Sequence, residues 1–306
     1  MCCFAQKVEF VEATKIFARL TDRSTQYLVY QMTFSTKTPN AMILPIPVRA
    51  PAREGSVKFI NLENHPGFFE SLAAMFPSMY RKSEGGRIPV HSVGDYIASF
   101  VPSIDDFKDL DPAFVIPKST WDQIPGYANF SFAVFQLTKL QGTPHPMALE
   151  FETQTPDQVF FPTLHIHDGM VHETEEFDHQ LFVQHAMLDD LAGSYVDYDY
   201  VDPATGFVRS SHVVSDQLAE MPEPIVDPNL LVHRLRIDGF QKNQDYRFSM
   251  TRLAFLRGMI RKRLPWLIGT PLVLAGVAFG WLHYRRNKLR GTKKQVDSEL
   301  SLPPEK

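Results

Sequence analysis

The hydrophobic and polar positions repeat every two residues along most of the chain. Gln26–Phe34 (QYLVYQMTF) puts Leu28, Tyr30, Met32 and Phe34 on one face, with Gln31 and Thr33 on the other. That is the period of a strand with one buried side. Phe130–Leu140, Met147–Thr153, Val159–His167 and Leu231–Ile237 carry the same signature. Ala41–Val48 is apolar but contains Pro45 and Pro47. Proline donates nothing to a ladder, so this segment reads as a strand end or an edge. Tyr195–Val201 and Phe207–Val214 flank DPATG, which reads as a hairpin turn. Helical spacing is confined to short stretches. Phe68, Phe69, Leu72, Ala73 and Phe76 share a helix face that Pro77 ends, and Ser103–Asp106 reads as a helix start. The expected fold is α+β and predominantly β: an antiparallel, sheet-rich soluble body with a few short helices, plus one C-terminal transmembrane helix.

The period changes at the C-terminus. Leu264–Tyr284 (LPWLIGTPLVLAGVAFGWLHY) has no Asp, Glu, Lys or Arg across its 21 residues. A helix of that length spans about 30 Å, the thickness of a hydrocarbon core. Trp266 sits near one end, Trp281 and Tyr284 near the other, and Arg261–Arg263 and Arg285–Lys288 bring basic side chains to both flanks. The expected order is a β-rich body over 1–245, a basic juxtamembrane helix over 246–263, a transmembrane helix over 264–284 and a basic, disordered tail over 285–306. Gly276 and Gly280 form a GxxxG pair, a route to self-association inside a membrane. Basic charge is nearly equal on the two flanks, so it does not set the orientation. The start MCCFAQKVEFVEA lacks the features of an export signal, and the expectation is a single-pass membrane protein with its body in the cytoplasm.

Charge sharpens this division. The net charge of −4 splits into +9 for Arg252–Lys306 (12 basic, three acidic) and −13 for the residues before it. An acidic body repels phosphate backbones, which excludes nucleic acid as its natural partner. The two cysteines, Cys2 and Cys3, are adjacent, so an intramolecular disulfide framework is excluded. Cys2 becomes a candidate N-terminal nucleophile if Met1 is removed, its thiolate activated by its own α-amine.

The densest chemistry lies in Leu164–His185 (LHIHDGMVHETEEFDHQLFVQH), which holds five of the eleven histidines. Asp168-Gly169 is a strong two-residue hairpin signal. If those residues form the loop, His165 opposes His172, and His165, His167 and His172 share one face. Three imidazoles on one ribbon face make a candidate site for a zinc-type ion with an open position, with His179 a further candidate ligand. Glu173 is expected to point the other way and His185 to stand outside the site. Asp197, Asp199 and Asp202 (YVDYDYVD) lack an EF-hand pattern and read as a solvated acidic face. The chain contains no Walker A sequence, no GxGxxG and no GxSxG.

The Cys-rich start, the strand through Thr14, Ile16 and Phe17, and the strand end Leu44-Pro-Ile-Pro47 resemble an uncharacterised bacterial family with an MCCF-type start and an LPxP strand end. The resemblance spans about the first 80 residues. It implies a shared β-rich domain and no catalytic residues. The sequence therefore reads first as a membrane-anchored binding or interaction module without catalysis. The alternatives are a zinc-type metal enzyme or sensor using the histidine hairpin, and a Cys2 N-terminal-nucleophile hydrolase.

Overall fold

A computed structural model describes residues 2–77, 95–218, 221–222 and 224–259. Fifteen strands run in chain order: β1 (Cys2–Phe4), β2 (Val8–Leu20), β3 (Thr25–Thr36), β4 (Ala41–Ile46), β5 (Val57–Ile60), β6 (Tyr96–Val101), β7 (Ser131–Leu137), β8 (Gln141–Gly142), β9 (Met147–Glu152), β10 (Gln158–Phe161), β11 (His165–Ile166), β12 (Thr174–Gln184), β13 (Val208–Arg209), β14 (His233–Lys242) and β15 (Tyr246–Ser249). Short helices α1 (Phe68–Ala74), α2 (Lys118–Trp121), α3 (Ala186–Leu191) and α4 (Val214–Gln217) interrupt them. The α+β, sheet-rich body expected from the two-residue period is what the chain forms.

Two large sheets carry the body. One has the order β13-β14-β12-β2-β3-β9-β5, with β8 also pairing β3; the other is β11-β1-β4-β7-β6. A two-stranded sheet, β10-β15, completes the set. Most pairs are antiparallel, but β12 pairs β2 in parallel and so does β11 with β1.

The register explains the core. Phe182 lies beside Phe17, Phe17 beside Val29, and Val29 beside Ala148, so one row of apolar side chains crosses four strands. The next residue along each strand (Leu181, Ile16, Tyr30 and Met147) makes a second row on the opposite face. The first row packs against Phe68, Phe69 and Leu72 of α1. These are the residues whose helical spacing marked that helix. Phe69 and Phe182 have ring centroids 5.8 Å apart, and Phe17 and Phe68 meet edge to face at 5.7 Å. Contacts Phe4–Phe34 and Phe59–Phe135 join the two large sheets. Each fully buried phenylalanine contributes about 1.5–3 kcal/mol from burial. Because β3 is sandwiched between β2 and β9 and covered on both faces, nearly every residue in it is buried. Gln26, with no exposure, donates to Phe160 O at 2.7 Å and accepts from Phe160 N at 3.1 Å, tying the small sheet to the large one.

Three local expectations change, while that for Pro45 holds: it stands one residue from the end of β4, an inner strand of the five-stranded sheet. It is tolerated because β1 pairs β4 only at Met42 and Ile43, so past that point β4 has a neighbour on one side alone. DPATG does not join two strands: 195–201 is irregular and β13 is two residues long. Asp202 instead closes a tight loop, accepting from Ala204 N (2.8 Å), Thr205 N (3.1 Å) and Gly193 N (2.7 Å). Residues 246–249, expected as the start of a juxtamembrane helix, are β15 and pair with β10. The helix begins at 250 and is described to 259. Ser103 does not cap a backbone N–H; its hydroxyl donates to Asp106 Oδ2 at 2.7 Å at the start of a 3-10 turn over Ile104–Asp109. The expected membrane span, 264–284, its GxxxG pair and the tail lie outside the described residues. Among the described residues no helix is long and apolar enough to cross a membrane.

Candidate metal centre

The histidine-rich segment folds, but not as the expected hairpin. β11 pairs in parallel with β1, Cys2 beside His165 and Cys3 beside Ile166. β12 pairs with β14 across Thr174–Val183 and with β2 across Gln180–Gln184. A two-residue hairpin between β11 and β12 cannot compete with so long a ladder, because each backbone group finds a partner in the larger sheet. Asp168-Gly169 still turns the chain. Asp168 Oδ1 accepts from Met170 N at 3.1 Å, and Gly169 takes φ +84°. The turn opens into a loop over 167–173 rather than closing a ladder.

Asn243, 8% exposed, replaces the missing neighbour of β11. Its Oδ1 accepts from His165 N at 2.7 Å, and its Nδ2 donates to His165 O at 2.9 Å and to His172 O at 3.0 Å. One side-chain amide therefore acts as a short strand and fixes where His165 starts.

This arrangement regroups the histidines. His165 stacks on His167 at 4.8 Å, on His179 at 4.9 Å and on Phe177 at 4.4 Å. His165 is 3% exposed and His179 1%. Their Nε2 atoms lie 3.2 Å apart. His172 is not in the stack. Its side chain is 43% exposed, with Nε2 3.1 Å from Asp168 Oδ2. The expected trio of His165, His167 and His172 thus becomes His165, His167 and His179, because His172 stays in the loop before β12 while β12 brings His179 against His165.

A carboxylate joins them. One ligand atom from each of His165, His167 and Glu175 lies within 4.8 Å of the others. Glu175, Phe177 and His179 occupy alternate positions of β12 and so share a face. The stretch VHETEEFDH carries that alternation, which groups Glu175 with His179 and sets Glu173 apart only by its place in the loop. Asn243 and Phe177 had no comparable signal: their roles depend on contacts 78 and 12 residues away in sequence.

The electrostatics favour neutral imidazoles. Burial pushes the His165 and His179 rings well below the usual imidazole range, and neighbouring imidazoles add to the effect. Burial likewise pushes His167 down to about 4. Burial raises the Glu175 carboxyl. His165 Nδ1, His167 Nε2 and His179 Nδ1 are buried without a hydrogen-bond partner. Two other buried histidines have a carboxylate on one nitrogen: His145 Nδ1 lies 3.3 Å from Asp95 Oδ2, and His233 Nε2 lies 2.8 Å from Asp189 Oδ1, although His233 Nδ1 is also buried without a partner. His185 is also structural, its Nδ1 accepting from Met187 N at 3.2 Å as the N-cap of α3.

The remaining candidates sit elsewhere in the network. Cys2 lies on β1, its backbone paired with that of His165. Cys3 is fully buried, its Sγ 4.0 Å from Leu164 O. Asp197 accepts from Tyr198 N at 2.6 Å and Asp202 is committed to its own loop, so the two carboxylates serve local turns.

No protein-family model and no curated protein matches the chain. Among solved structures it is similar to baculovirus P35, at 13% identity over 81% of this chain and 99% of that one, with a TM-score of 0.42. A mutated baculovirus P35 after caspase cleavage aligns at 13% identity, over 78% of this chain and 99% of that one, with a TM-score of 0.42. P35 in a caspase-8 complex aligns at 12% identity, over 77% and 95%, with a TM-score of 0.38.

Proposed function

We propose that the body is a binding module for a divalent ion of zinc type, held by His165, His167 and Glu175, and that the 264–284 segment tethers it to a membrane. The observation that carries the reading is the pair of buried nitrogens, His165 Nδ1 and His167 Nε2, that have no hydrogen-bond partner. Buried polar atoms are nearly always satisfied, and leaving one unpaired costs about 1–3 kcal/mol. An ion bound by the three groups would satisfy one nitrogen of each ring. Imidazoles kept neutral by burial present lone pairs without first losing a proton.

Two imidazoles and a carboxylate suit zinc, with metal–nitrogen bonds of about 2.0–2.1 Å. Tetrahedral donors at that distance are about 3.3 Å apart. Ligand atoms now within 4.8 Å of one another would draw in by up to about 1.5 Å to reach that spacing, and Glu175 is only half-buried. Three protein ligands leave a fourth position for water. The ion would cross-link β11, the loop behind it and β12, elements that meet here through few backbone bonds. That is the role of a structural ion, whose binding energy adds to folding energy.

The test is equilibrium dialysis of the full chain, purified in mild detergent, against zinc. The expected result is one tightly bound ion per chain, lost in His165→Ala/His167→Ala and in Glu175→Gln. Equal binding by wild type and the histidine variant, or none by either, removes the reading. Deletion of 264–284 is expected to leave zinc stoichiometry unchanged while releasing the chain from membranes.

A further inference from the structure

We propose that the open edge of β14 is a self-association strand, on which a second copy of this chain adds its own β14, antiparallel about Phe240 and independently of the ion. β13 covers β14 only at His233 and Arg234, which lie opposite Arg209 and Val208. From Leu235 to Lys242, β14 has β12 on one side and, among the described residues, no strand on the other. Leu235, Arg236, Ile237 and Asp238 all line one cleft of about 450 Å³. Successive strand residues point to opposite faces, so open space that touches four in a row lies at the strand's edge.

Hydrogen bonds at the two ends of β14 fix which backbone groups face that edge. In an antiparallel ladder, alternate residues turn both N–H and C=O toward the same neighbour. Asn243 N donates to Glu173 O at 2.9 Å, so the odd-numbered residues face β12. On the other side Ser210 N donates to Val232 O at 2.7 Å, which assigns the even-numbered residues to the outer edge. The two ends agree, and the β12 register runs unbroken through Gly239, at φ +75°. Arg236, Asp238, Phe240 and Lys242 therefore aim their backbone groups outward. Among the described residues, the one hydrogen bond these groups receive runs from Gln241 Nε2 to Asp238 O, at 3.2 Å.

Side chains select the partner. An open edge accepts many strands, and charges are what usually blunt it. Here the charges are symmetric: Asp238 and Lys242 stand two residues to either side of Phe240, which is 76% exposed. Twofold pairing about Phe240 sets Asp238 opposite Lys242 of the second copy, twice, and Phe240 opposite Phe240. All of these are pairs of outward-facing residues, so each exchanges both backbone hydrogen bonds. Asp238 also lies opposite Asp178 of its own chain, with Arg236 Nε 3.3 Å from its Oδ2, and the second copy's lysine adds a further cation to that acidic pair. The neighbouring twofold registers are poorer. Centring on Asp238 opposes two carboxylates, centring on Gly239 opposes Arg236 and Lys242, and centring on Gln241 matches no charges. Centring on Ile237 reaches only Arg236 and Asp238 before β13 blocks the edge at Arg234.

The experiment follows amide hydrogen exchange of the full chain in mild detergent, from dilute to concentrated. The Asp238, Phe240 and Lys242 amides are expected to become protected as concentration rises, while Gly239 and Gln241, already bonded to β12, are protected throughout. In a Cys2→Ser background, Phe240→Cys is expected to form a disulfide-linked dimer under mild oxidation, because directly opposed hydrogen-bonded residues have Cα atoms about 5.5 Å apart, within disulfide range. Ile237→Cys is expected not to. Asp238→Lys or Lys242→Asp alone is expected to weaken association about tenfold, and the double variant, which exchanges the signs, to recover to within about threefold of wild type. Exchange at these amides that ignores concentration overturns the proposal, and a dimer made through Gly276 and Gly280 alone gives that result. Crosslinking at Ile237→Cys but not at Phe240→Cys, or single charge variants that associate as wild type, overturns it as well. Zinc stoichiometry is expected to stay the same in every one of these variants, so the ion site stands or falls on its own dialysis.

Discussion

Asn243 gives the sharpest stability prediction, because one buried side chain replaces a strand beside His165. Leucine has the branched shape of asparagine and the same number of side-chain heavy atoms, so Asn243→Leu removes polarity while keeping the space filled. It deletes three hydrogen bonds: from His165 N–H, to His165 C=O and to His172 C=O. His172 lies in an exposed loop, where its carbonyl can find water. His165 is 3% exposed, so its N–H and C=O lose that partner with little access to solvent. Two stranded backbone groups at about 1–3 kcal/mol each give an expected loss of about 2–6 kcal/mol. Urea unfolding followed by circular dichroism measures it, with the slope unchanged and the midpoint lowered. Asn243→Asp retains an acceptor for His165 N–H but sets a carboxylate against two carbonyl oxygens, so it is expected to fall below wild type as well. The same leucine variant is expected to weaken zinc binding, since β11 no longer holds His165 in place. A stability within about 0.5 kcal/mol of wild type, together with unchanged zinc affinity, would refute this reasoning.

Three further outcomes follow from the geometry. Phe182→Ala opens a cavity between Phe69 and Phe76, whose rings lie 5.8 and 6.0 Å from it, and is expected to cost about 3–5 kcal/mol in the same unfolding assay. Burial holds the folded His185 imidazole below its ordinary value, so the folded chain binds fewer protons than the unfolded one as pH falls below about 6.5. Its contribution to stability is thus present above that pH and lost below it. His185→Asn keeps a capping acceptor for Met187 N–H and is expected to flatten this part of the pH–stability curve, while an unchanged curve would count against the assignment. Deletion of 264–284 is expected to move the chain from the membrane to the soluble fraction on ultracentrifugation, and persistent sedimentation with membranes would remove the anchor.

Alternation in QYLVYQMTF announced β3, and the spacing of Phe68, Phe69 and Leu72 announced α1, because local periodicity records which side of an element is buried. Pairing was another matter. Asp168-Gly169 forms its turn, but the sequence around it says nothing about β14, which lies more than fifty residues later and captures β12. Local turn chemistry chose a bend; long-range pairing chose the partners. The site followed the same division. His165 and His167 were legible as a His-x-His strand, whereas replacing His172 by His179 required the register of β12. Glu175 was legible by alternation with His179.

The most direct test of the central claim is the X-ray absorption spectrum of zinc bound to the full chain. The expected first shell is nitrogen and oxygen alone at about 2.0–2.1 Å, with outer-shell scattering from two imidazoles that disappears in His165→Ala/His167→Ala. Sulfur scattering at about 2.3 Å, which would place the ion on a cysteine, or a shell without imidazole would contradict it.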